Sequence, residues 1–113
     1  MIFADLKEIN YYFPSKYDAQ LKMLEKSYIL QLTLSIGERL KDGADYFDVF
    51  IYNIDYVKEK KILLGHNSII VDIDDIDELE KEIKLFVNSI YGYSWNEVLN
   101  KLRKYFKWEY EDY

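Results

Sequence analysis

Between Asp72 and Glu82 the chain places seven carboxylates and one lysine, a density that raises the question of a bound divalent cation. A calcium loop of the EF-hand kind takes oxygen ligands at alternating positions, turns on a central glycine and closes on a glutamate at the twelfth place. Here Asp72-Ile73-Asp74-Asp75-Ile76-Asp77 puts isoleucine at the fifth, ligand position and aspartate where that glycine is needed, so no metal is expected. Asp74, Asp75 and Asp77 suit another task, accepting the unpaired N–H groups at the start of a helix and offsetting its dipole. Nucleophilic catalysis is no better served. There is no cysteine and no Gly-x-Ser-x-Gly elbow, and the single histidine, His66, stands between Gly65 and Asn67 as a turn residue would. A general base needs placed partners, and none is evident around it. No phosphate loop, dinucleotide fingerprint or paired-histidine motif occurs, and the four glycines are scattered, so no cofactor is expected. Among 21 acidic residues, choosing any two as a glycosidase-like pair would be arbitrary.

The aromatic residues offer more. Twelve tyrosines in 113 residues exceed what a core of this size favours, because each buried hydroxyl needs a hydrogen-bond partner. Several must therefore reach the surface, either as a simple covering of strands or as rigid anchors in a protein interface where carboxylates steer and pair with a basic partner. Stacking on nucleic acid would require a basic groove. The net charge of −6 opposes it, and the cations Lys101, Arg103, Lys104 and Lys107 are too local to reverse the field. The carboxylates singled out as partner contacts are Asp45, Asp48, Asp72, Glu109, Glu111 and Asp112. Trp95, Trp108 and Tyr110 are singled out as structural.

These residues need a scaffold, and 113 residues with half of them apolar fit one compact domain spanning residues 1–113. Without cysteine there is no disulfide framework, and no basic, apolar leader or stretch of roughly 20 apolar residues is present, so a cytoplasmic location without membrane contact is expected. Phe3 to Ile9 reads as a first strand, broken by Tyr11 to Ser15 around Pro14. Lys16 to Lys26 is ambiguous. Leu30, Leu32, Leu34 and Ile36 alternate with polar residues in a second strand, which Gly37 ends. Tyr46 to Tyr52 forms its antiparallel neighbour, and Ser68 to Ile73 a further strand. The period then changes: Ile76, Leu79, Ile83, Phe86, Val87 and Ile90 make one helical stripe. Ser94 and Glu97 form a capping box, with Tyr93 placed to staple onto Val98, for a second helix carrying Trp95, Val98, Leu99, Leu102 and Phe106. Phe106 to Tyr113 reads as a final strand in which Trp108 and Tyr110 share a side. The expectation is an α+β fold: an antiparallel sheet of about four to five strands with two C-terminal helices packed on one face.

The ending Trp108-Glu109-Tyr110-Glu111-Asp112-Tyr113 resembles the Trp-Glu-Phe-Glu-Asp-Tyr ending of the immunity protein 8 family of bacterial polymorphic-toxin systems. Ala4-Asp5-Leu6-Lys7-Glu8, Leu30-Gln31-Leu32 with Ile36-Gly37, Phe47-Asp48-Val49, Leu64-Gly65-His66 before Ile69-Ile70-Val71, and Trp95-Asn96-Glu97-Val98 agree with that family in order and spacing. Two departures are Tyr110, where the family often has phenylalanine, and Tyr11 to Lys26, which lacks the acidic, proline-containing character expected there. The resemblance implies an α+β immunity protein without catalytic residues that binds and neutralises a cognate toxin domain. Net charge suggests a basic nuclease as the toxin class. An adaptor domain binding a host protein through a sheet edge is the alternative, and a hydrolase using His66 and a carboxylate comes third.

Overall fold

The computed structural model describes residues 1–111. The fold is α+β, and its elements run β1 (Ile2–Tyr11), α1 (Lys16–Met23), β2 (Ile29–Glu38), β3 (Asp45–Asn53), α2 (Ile54–Lys60), β4 (Ser68–Val71), α3 (Ile76–Asn88), β5 (Tyr91–Gly92), α4 (Trp95–Leu102) and β6 (Lys107–Trp108). The expected sheet is corrected in two respects. Among the described residues it has six strands, in the order β4-β3-β2-β1-β5 with β6 also on β3, and it is mixed, because β4 lies parallel to β3 while every other pair is antiparallel. The helix count is corrected too. Among the described residues four helices are interspersed among the strands of a curled half-barrel, two more than the C-terminal pair. The connection through α2 is what permits the parallel neighbour, since a tight hairpin returns a strand antiparallel.

Strand alternation decides which residues are covered. Leu30, Leu32, Leu34 and Ile36 of β2 and Phe47, Val49 and Ile51 of β3 are fully buried and meet Ala4 and Leu6 of β1. Against them lie Ile76, Leu79, Ile83 and Val87 of α3, Val98, Leu99 and Leu102 of α4, Ala19 and Met23 of α1, and Phe106, all in one core. Helix α2, by contrast, buries none of its residues. Gly37 does not end β2, which continues to Glu38. Its lack of a side chain serves close approach instead, because a Cβ there would stand 2.2 Å from the carbonyl oxygen of Gly43.

Polar side chains fix the helices. Asp75 caps α3 by accepting from the N–H of Glu78, confirming a capping role inside the acidic run. Ser94 accepts from the N–H of Glu97, and the Glu97 carboxylate returns to the N–H of Tyr93 rather than to Ser94. Tyr93 is 80% exposed and does not staple onto Val98, which is a second local correction. At the other end of α3, Asn88 accepts from the N–H of Leu6 at 2.9 Å, beside the bulge at Lys7, and donates to Asp5 at 3.1 Å. The ambiguous segment becomes α1, capped by Ser15. Tyr11 donates to Glu80 of α3, and burial together with that carboxylate pushes its phenol far above the usual range. Tyr28, buried, donates to the carbonyl of Ile73, and burial pushes its pKa up to about 12.

Candidate functional site

The sheet has two faces, and only one is filled. Residues of opposite parity to the core project on the other side: Glu8, Asn10 and Tyr12 with β1, Ile29, Gln31 and Thr33 on β2, Tyr46, Asp48, Phe50 and Tyr52 on β3, and Ile70 on β4. Register brings Thr33 opposite Asp48, Gln31 opposite Phe50, Ile29 opposite Tyr52, and Tyr52 beside Ile70. Tyr12, Tyr46 and Ile70 are each about half exposed, at 56%, 49% and 51%. The rings form a row, with Phe50 and Tyr52 6.4 Å apart and Tyr52 and Tyr56 of α2 5.2 Å apart, centroid to centroid. At its centre, Asp48 Oδ1 accepts from Thr33 Oγ1 at 2.8 Å and, at 3.4 Å, from the Tyr12 hydroxyl. Such a surface offers amphipathic aromatic area and a fixed acceptor, the means of a protein interface.

The six carboxylates singled out from sequence are not brought onto one surface. Asp48 lies on the open face. Asp45 points the other way and holds both tryptophans, accepting from the Trp95 indole at 2.9 Å and the Trp108 indole at 3.4 Å. Asp72 is exposed on the connection between β4 and α3, lining an acidic hollow of about 330 Å³ with Asp55, Asp74 and Glu78. Glu109 is exposed, and its N–H donates to the carbonyl of Tyr46. Glu111 makes a two-point pair with Arg103, at 3.0 and 2.9 Å, which holds its carboxyl below the usual carboxylate range. Asp112 lies outside the described residues. Trp108 is half-buried on β6, and Tyr110 stacks edge-on against it at 5.1 Å while remaining 48% exposed. The expected terminal strand is therefore short: it ends at Trp108, one further backbone bond joins Glu109 to Tyr46, and 109–111 form a turn, so Tyr110 does not share a buried strand face with Trp108.

Sequence reasoning missed Tyr12 and Thr33 as partners of Asp48, and Tyr46, Phe50 and Tyr52 as one row. The alternation around Asp48 carried that signal, since 46, 48, 50 and 52 share a face on any regular strand.

Little in the molecule is shaped for catalysis. His66 is exposed in the loop before β4, its carbonyl accepting from Ser68 Oγ at 3.3 Å. Among the described residues no buried side-chain nitrogen or oxygen lacks a hydrogen-bond partner, and no group of three or more His, Asp or Glu residues is placed to hold a metal ion. An apolar groove of about 300 Å³ opens between β4, α3 and the turn after α4, lined by Ile69, Val71, Ile83, Phe86 and Phe106. It carries no reactive constellation. Among the described residues no helix is long and apolar enough to cross a membrane.

A mixed α+β domain with an uncovered aromatic sheet face defines a binding protein more readily than an enzyme. The family model for immunity protein 8 matches residues 4–113, and the chain belongs to that family. Its members are non-catalytic inhibitors that neutralise a cognate toxin. No curated protein and no solved structure matches the chain.

Proposed function

We propose that this chain acts in the cytoplasm of the producing cell by stoichiometric occlusion, binding its cognate toxin domain and covering a working surface of the toxin with the open face of the sheet. The observation that carries this reading is the row of exposed and half-exposed rings, Tyr12, Tyr46, Phe50 and Tyr52, on a face that the core leaves uncovered. Rigid rings give large contact area at small cost in rotamer freedom, which suits a tight inhibitor. The charge of −6 favours a basic toxin, and among such toxins a nuclease whose own substrate is polyanionic.

Co-expression with the toxin domain encoded beside it should rescue growth, and the purified pair should form a one-to-one complex by calorimetry. Rescue without any detectable complex would sink occlusion. Failure to protect against any neighbouring toxin would favour an adaptor role instead.

A further inference from the structure

We infer that the toxin also docks on the free edge of β4, adding there one extended segment whose inward side chain fills the apolar groove between β4 and α3; the inference rests on the neutralisation reading above. The register fixes which groups that edge offers. Phe50, opposite Ser68, donates its N–H to the carbonyl of Asn67, so the parallel ladder runs through Asn67, Ile69 and Val71. Ser68 and Ile70 therefore turn their N–H and C=O groups away from β3, and no strand among the described residues takes them up. The far side of the sheet is guarded. There β1 carries Lys7 and Glu8, gives its Ala4 N–H to the carbonyl of Ile90 and its Leu6 N–H to Asn88, and pairs with β5 at Ile2 and Phe3. Charge, proline or such capping ordinarily protects an edge strand, and Ser68-Ile69-Ile70-Val71 contains neither charge nor proline.

The groove beside that edge selects the occupant. Ile69 and Val71 share its wall with Leu79, Ile83 and Phe106, and its volume of about 300 Å³ has room for a large apolar side chain. Phe86 and Tyr105, which also line it, remain exposed and leave apolar surface for a partner. In strand addition the backbone bonds supply affinity, and a pocket for alternate side chains supplies specificity. Charge narrows the choice further. Glu82 lines the groove, and Asp72, the first residue past β4, opens the acidic hollow it shares with Asp55, Asp74 and Glu78, where Lys26 is the single cation of the lining. None of the ion pairs among the described residues includes Glu82 or Asp72. A second copy of this chain, at a charge of −6, would bring like charge to these carboxylates. The fitting occupant is a basic toxin segment, extended, with a large apolar residue at the inward position and lysine or arginine beside it.

The test is residue-resolved amide exchange of the wild-type chain, free and bound to the inactivated toxin domain, with calorimetry on variants. The Ser68 and Ile70 amides should exchange at least about tenfold more slowly in the complex, because strand pairing protects them. Ile70→Pro removes an outward N–H without touching the ladder to β3, and it should weaken binding by about tenfold or more. Glu82→Lys, an exposed change on α3, should weaken binding as well, and it tests the groove if Ile70→Pro melts early. Lys84→Gln, exposed on α3 and outside the groove lining, should leave affinity within about two-fold. Unchanged exchange at Ser68 and Ile70, in a complex that wild type forms normally, would overturn the edge docking and leave neutralisation standing. A dimer of the free chain that already protects these two amides would overturn the toxin as occupant in favour of a second copy. Absence of any wild-type complex would overturn the neutralisation reading, and this inference with it.

Discussion

Asp45 and Asp48 stand three residues apart on one strand and do opposite work. Asp45 turns inward and bridges two indole N–H groups, whereas Asp48 turns outward and accepts from two hydroxyls. Asp45→Ala should lower stability by about 1–3 kcal/mol, the cost of leaving donors unpaired, read as an earlier urea midpoint. Trp108→Ala should lower it by about 2–3 kcal/mol, because the indole is half-buried and falls short of the roughly 3–5 kcal/mol of a fully buried aromatic. Glu111 gives a pH signature. Its folded pKa is depressed from 4.5, chiefly by hydrogen bonds from Arg103, so its contribution is present above about that pH and is lost as pH falls through the folded value. The stability gap between wild type and Glu111→Gln should therefore be open at pH 7 and close progressively below pH 4.5.

At the scale of elements, Asn53 shows how one side chain joins three segments. Its Oδ1 accepts from the N–H groups of Tyr28 and Tyr56, and its Nδ2 donates to the carbonyl of Lys26. It thereby caps α2, holds the entry to β2 and ends β3. Asn53→Ala should cost about 2–4 kcal/mol by thermal or urea unfolding, more than an isolated cap, because buried backbone donors lose their partner. Nothing in the sequence around Asn53 announced this, since its partners lie 25 and 27 residues away in one direction. Elements with a strong period were legible: the alternation of β2 and the stripe of α3 both follow from burial on one side. Short elements were not. Helix α1 carries a weak apolar pattern and is held through Gln20, which accepts from the N–H of Ile76 and donates to the carbonyl of Asp74. Strands β5 and β6, two residues each, exist because distant neighbours offer free edges, which no local pattern encodes. The candidate site followed the same division. Tyrosine excess was readable, but only the β2–β3 register puts Thr33 beside Asp48 and turns Asp45 toward the indoles.

For the whole molecule, charge acts at long range and geometry at short range. Complex formation with the toxin should show an on-rate that falls as salt rises past about 0.1 M, where the screening length is about 10 Å, while the off-rate changes much less. Stopped-flow mixing at several salt concentrations reads both; an on-rate indifferent to salt would remove steering from the account. The fold also sets a schedule. One edge of β3 is divided between β4, along Phe50–Asn53, and β6, at Phe47 and Asp48, so this strand is sealed by residues made much later. Phe47 pairs with Trp108, and 108 − 47 leaves 61 residues of further synthesis. At about 5–20 residues per second a ribosome needs roughly 3–12 s to supply them. During that interval the edge around Asp48 is an unfinished strand, open to mispairing with another nascent chain. The edge of β3 is thus closed only when the last strand of the sheet has been made.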